Sequence, residues 1–116
     1  MHITLQIISP KELTYEEVSY ILAPYEQTEA NFRHNLKYNI TPDLEWDYWD
    51  FKNKHKNIKL GDCFALIDPD RQLFVRERYS PALKKWIPCT NKFEKHIADH
   101  SDEWKDYCIQ EIDMHW

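Results

Sequence analysis

Strand-like alternation at both ends of the chain, two stretches with helical spacing, and a pair of ring-rich runs joined by an Asp-Pro-Asp-Arg turn predict an α+β domain. In chain order these read strand, helix, hairpin, helix, strand. That is a ferredoxin-like split βαβ unit, β-α-β-β-α-β, with an antiparallel sheet, two helices on one face and an elaborated connection at about 26–60. At 116 residues the chain hides roughly two-thirds of its unfolded surface on folding, enough for one core, so a single domain over 1–116 is expected.

The first strand rests on Ile3, Leu5 and Ile7 alternating with His2, Thr4 and Gln6, the period of a strand with one buried side. Ser9-Pro10 turns the chain. Thr14 with Glu17 three residues on forms a capping box, and Val18, Ile21, Leu22 and Tyr25 give the following helix one apolar stripe until Pro24 stops it. From Glu26 to Leu60 the periodicity is weak. Thr41-Pro42-Asp43 reads as a helix start, with a helical turn or two through Leu44 to Phe51. Asp62 to Ile67 and Leu73 to Tyr79 form the hairpin about Asp68-Pro69-Asp70-Arg71, and Lys85 to Cys89 continues or widens the sheet. Phe93, Ile97, His100, Trp104 and Tyr107 describe one face of a helix from about Asn91 to Tyr107. Cys108, Ile112 and Met114, alternating with Ile109, Glu111, Asp113 and His115, close the sheet.

Composition removes several function classes. With Gly61 as the sole glycine, phosphate-cradling glycine loops and dinucleotide fingerprints are excluded. Cys63, Cys89 and Cys108 lie far apart and make no CxxC pair, so neither a disulfide framework nor a zinc ribbon is signalled. No apolar run approaches a membrane span, and the opening residues lack a signal peptide's basic lead, so a cytoplasmic protein without a membrane partner is expected. A net charge of −5 argues against nucleic acid as a general partner, because binding phosphates requires a basic surplus.

The densest segment for recognition is Trp46, Asp47, Tyr48, Trp49, Asp50 and Phe51, followed by Lys52, Lys54, Lys56 and Lys59. Rings supply stiff contact area and flanking charges steer approach, so Trp46, Asp47, Tyr48, Trp49, Asp50, Lys54 and Lys56 are the candidate partner-binding residues, with no cofactor needed. The same rings at near-helical spacing also suit a core anchor. His96, Asp99 and His100 form H-x-x-D-H on the second helix, a spacing at which two imidazoles can share a metal, although His100 falls on the apolar stripe, where a histidine ordinarily serves the core. Cys63, between Asp62 and Phe64, sits where a thiol is made inert. The open edge of the sheet also offers a route to a homodimer.

Four pieces in order, Ala23-Pro24-Tyr25-Glu26, Trp46-Asp47-Tyr48-Trp49, Ala65-Leu66-Ile67-Asp68-Pro69-Asp70 and Asp113-Met114-His115-Trp116, resemble the pattern of a small, uncharacterised protein family of Gram-positive bacteriophages. The chain departs from that pattern in having Phe51-Lys52-Asn53-Lys54 in place of a G-G-R-W segment and Arg71 in place of the turn glycine. The resemblance implies a phage accessory protein of the host cytoplasm. It also implies action by protein–protein binding on a host protein such as a defence nuclease, in the manner of an anti-CRISPR inhibitor. The likeness further places Glu26, Asp113 and His115 at element ends, and these are the candidates for acid–base catalysis if the protein is instead a small enzyme or nucleotide binder.

Overall fold

The computed structural model describes residues 1–52 and 58–116. β1 (His2–Ser9) alternates in burial as far as Leu5 and is buried on both faces from there to Ser9, and it leads to α1 (Tyr15–Leu22), whose capping box forms as expected. Thr14 Oγ1 accepts from Glu17 N, and the Glu17 carboxylate accepts from Thr14 N, both at 3.2 Å; such a cap contributes about 1 kcal/mol. Val18, Ile21 and Leu22 are buried, each removal from water contributing roughly 1.5–3 kcal/mol, and the chain passes at Pro24 into a 3₁₀ turn, Ala23–Tyr25.

The central excursion differs from its sequence reading. A second helix, α2 (Glu29–Lys37), starts at Thr28, whose hydroxyl accepts from Asn31 N at 3.1 Å. The segment expected as helical turns over Leu44 to Phe51 is instead a strand, β2 (Tyr48–Phe51). Pairing with the last strand decides this, because it places Trp49 and Phe51 against the core and Tyr48 and Asp50 on the opposite face. Backbone bonds from Gln27 N to Trp46 O (2.8 Å) and from Trp46 N to Tyr25 O (3.0 Å) staple the two ends of the excursion together.

β3 (Ala65–Ile67) and β4 (Leu73–Val75) form the expected hairpin. The run to Tyr79 is not one strand, however. It breaks at Arg76, whose guanidinium donates to Cys63 O (2.8 Å) and Gly61 O (2.6 Å) and lies 4.3 Å from the Phe93 ring centroid. Beyond that break β5 (Glu77–Ser80) and β6 (Lys85–Pro88) make a separate two-stranded sheet, held to the body where Trp86 meets Trp116. α3 (Thr90–His100) is shorter than its periodicity predicts and continues as turns to Tyr107 before β7 (Cys108–His115).

The five-stranded sheet runs β2-β7-β1-β3-β4, so the α+β class holds. Its topology is another matter. A split βαβ unit sets the second hairpin strand antiparallel beside β1, whereas here the first, β3, lies there in parallel and β4 takes the edge. The helices are not on one face either. Ile3, Leu5 and Ile7 pack with α1, while Ile8, Leu66 and Phe74 pack with Phe93 of α3 on the reverse side. Successive strand residues point to opposite faces, so two helices with apolar stripes can each take one.

Candidate functional site

α3 covers the reverse face over β3, β4 and the adjoining ends of β1 and β7, and the segment 59–61 covers Gln6. The rest of that face carries polar side chains in register: Tyr48, His115 and His2 form one row across β2, β7 and β1, and Asp50, Asp113 and Thr4 form the next. Lys52 Nζ donates to Thr4 Oγ1 at 2.9 Å. Gln6 marks the boundary with the covered half. It is fully buried, donates to Lys59 O (2.9 Å) and Glu111 Oε2 (3.3 Å), and accepts from Gly61 N (2.9 Å), so both ends of its amide are satisfied.

Two imidazole–carboxylate pairs stand side by side on the open part. His2 Nδ1 donates to Asp113 Oδ1 at 3.2 Å and His115 Nδ1 donates to Asp47 Oδ1 at 2.6 Å, with the two rings edge to face at 4.9 Å between centroids. The bond from His115 holds the Asp47 carboxyl below the ordinary carboxylate range, so this acid keeps its charge into mildly acidic solution. Tyr48 is 60% exposed beside them. Below the pairs opens a cleft of about 780 Å³ lined by His2, Thr4, Lys52, Asp62, Arg76 and Glu111 among others.

Of the residues singled out from the sequence, Asp47, Tyr48, Asp50, Asp113 and His115 thus come together, joined by His2. Trp46 and Trp49 do not share that surface. Trp49 is 6% exposed, stacks on Tyr15 at 4.9 Å and sits in the core, and Trp46 Nε1 donates to Leu22 O at 2.7 Å. As contact residues they are corrected to anchors, since β2 alternation turns Trp49 inward when Tyr48 faces out. Lys54 and Lys56 lie outside the described residues. Glu26 pairs with Trp46 as a backbone bridge and lines a groove at the foot of α2, apart from Asp113 and His115.

The H-x-x-D-H histidines lie together, their ring centroids 4.4 Å apart, but one nitrogen of each is committed elsewhere and Asp99 turns away. His96 Nε2 donates to Asp68 Oδ2 at 3.0 Å in a buried brace and stacks on Phe74 at 3.8 Å; His100 Nδ1 donates to His96 O at 2.9 Å, and Asp99 pairs outward with Lys95 at 2.8 Å. Among the described residues no group of three or more His, Cys, Asp or Glu is placed to hold a metal ion. His2 is the residue of this candidate site that sequence reasoning missed. Its signal was present in the alternation, which put His2 and Thr4 on the polar face, but its partner Asp113 lies 111 positions away. No family model, curated protein or solved structure matches this chain.

Proposed function

We propose that this chain is a small accessory protein that holds a protein partner on the open half of the sheet, and that the partner presents a basic surface. Tyr48 supplies the ring contact. Asp47, Asp50 and Asp113 supply charge, and His2 and His115 fix two of those carboxylates in place. The observation that carries this reading is the exposed Tyr48 ring beside two carboxylates on paired strands, Asp50 and Asp113, and a third, Asp47, held just ahead of β2 by His115, a rigid acidic display rather than a mobile one. The nucleic-acid cleft of a host defence nuclease is such a basic surface. The ordered likeness to small proteins of Gram-positive phages supports an anti-CRISPR-like inhibitor acting in the host cytoplasm. The same carboxylates repel phosphate, which speaks against nucleic acid as the ligand.

The test is capture from host lysate, identification of the retained protein, and titration of that protein with wild type and a Tyr48→Ala, Asp50→Lys double variant at several salt concentrations. Wild type binds, weakening as salt rises, and inhibits the nuclease; the double variant does neither. Equal affinity of both forms for the same partner removes this surface from consideration.

A second reading, a small enzyme, draws on one observation. Each imidazole on the face has its Nδ1 committed to a carboxylate, an arrangement that orients the other nitrogen for acid–base work. Turnover of linear or cyclic nucleotides that disappears in His2→Ala and His115→Ala, with folding intact, would favour it over a binder.

A further inference from the structure

α2 is built inside out. Its residues turned toward the body are Asn31 and Asn35, and Asn31 Nδ2 donates to Ala23 O (3.2 Å) and Glu26 O (2.8 Å). Its apolar residues face solvent instead: Phe32 is 62% exposed and Leu36 67%, one turn apart, and Tyr38 and Ile40 extend the patch beyond the helix at 57% and 46%. No residue of α2 is buried. Four large apolar side chains exposed within nine residues of a polar chain mark an interaction surface.

The charges along the helix select its occupant. Glu29 opens α2 and accepts from Arg33 of its own chain, so the acidic and basic charges of the first turns offset each other, and Lys37 follows at the end with its Nζ 5.4 Å from the Tyr38 ring centroid. An antiparallel copy of the same helix therefore brings Glu29 of each chain toward Lys37 of the other, twice about a two-fold axis, while Phe32 of one packs on Leu36 of the other. Although the whole chain carries a net charge of −5, residues 29–40 hold one acid, Glu29, against two bases, Arg33 and Lys37. Two copies thus meet here without the repulsion they would face at the acidic strand β2. We infer that α2 is a self-pairing helix, through which two copies of this chain form a weak, reversible two-fold dimer that leaves the open sheet face free.

Sedimentation equilibrium over a concentration series tests this. Wild type shifts from monomer to dimer mass with rising concentration, and a Phe32→Asp, Leu36→Asp variant stays monomeric with an unchanged circular dichroism spectrum, since neither residue serves the core. Lys37→Glu weakens pairing about tenfold, and adding Glu29→Lys with Arg33→Glu, which keeps the in-chain pair with its signs reversed, restores pairing. A wild type that is monomeric throughout, or a dimer that survives Phe32→Asp, Leu36→Asp, overturns the inference. Failure of the charge swap to restore pairing overturns the antiparallel arrangement.

Discussion

Arg71 sits at φ +68°, a left-handed conformation that costs an L-residue roughly 1–2 kcal/mol, because the β3–β4 loop is a type I turn closed by one such residue. The loop's bonds, Arg71 N to Asp68 O at 2.9 Å and Asp68 N to Gln72 O at 3.0 Å, require that geometry whatever the side chain. Arg71→Gly removes the strain but loosens the unfolded chain, so a net gain of about 0.5–1 kcal/mol is expected in urea unfolding; no gain would mean that the arginine side chain offsets its own backbone cost. Cys63 offers a second reading at this scale. Burial pushes its thiol from 9.0 to about 12, and the folded protein therefore binds a proton that the unfolded chain releases above pH 9. Stability from this group is complete below pH 9 and is lost as pH climbs toward 12, at no more than about 1.4 kcal/mol per pH unit. Unfolding of wild type and Cys63→Ala across that range cancels the other titrations: wild type should lose ground steadily to the variant, whereas parallel profiles would show that the thiol ionises freely in the fold.

β2 shows how one four-residue strand serves packing and recognition at once. Trp49 fills the core against Tyr15 and Phe51 while its neighbours Tyr48 and Asp50 face out. Trp49→Ala should therefore cost about 3–5 kcal/mol of unfolding free energy, and Tyr48→Ala no more than about 0.5 kcal/mol. Comparable losses from both would mean that Tyr48 is structural and the open face is not a free surface. The element was misread because Trp46 and Trp49 are three apart and follow a Thr-Pro-Asp start, both local helix cues, whereas its strand identity comes from β7, distant in sequence. α2 was missed for a related reason: apolar periodicity finds helices that face a core, and this one turns Phe32 and Leu36 away from it. The capping box at Thr14 was legible because every atom in it lies within four residues. Half of the candidate site was legible too, since strand alternation alone put Asp113, His115 and His2 on polar faces; that they share one face needed the register of β7 between β1 and β2.

The molecule is organised about the central strands, which are covered on both faces where α1 and α3 overlap. Gln6, Ile7 and Ile8 are all buried in succession, as are Ala65, Leu66 and Ile67, a continuous pattern that belongs to strands between two helical layers rather than to a half-open sheet. Sequence alternation predicts one buried side for β1, with Gln6 on the polar face; a hairpin's own pattern does not say which of its strands pairs with β1, and the split topology rests on element order alone. The same layering explains why the polar face lies where it does: α3 and the segment 59–61 reach no further than Gln6 and Ile109, and among the described residues the β2 side beyond them is exposed. Stability should follow this layout. Amides of β1 and β3 should exchange with solvent only through global unfolding, and those of α2 and of the β5–β6 hairpin through local opening, orders of magnitude faster, because neither has a residue sealed in the core. Hydrogen exchange read by mass spectrometry at two protein concentrations separates the two outlying elements. Raising the concentration should slow α2 alone if copies pair there, and leave β5–β6 unchanged. Protection of α2 equal to that of β1 in dilute solution would show one cooperative unit and remove the basis for treating the helix as an appendage.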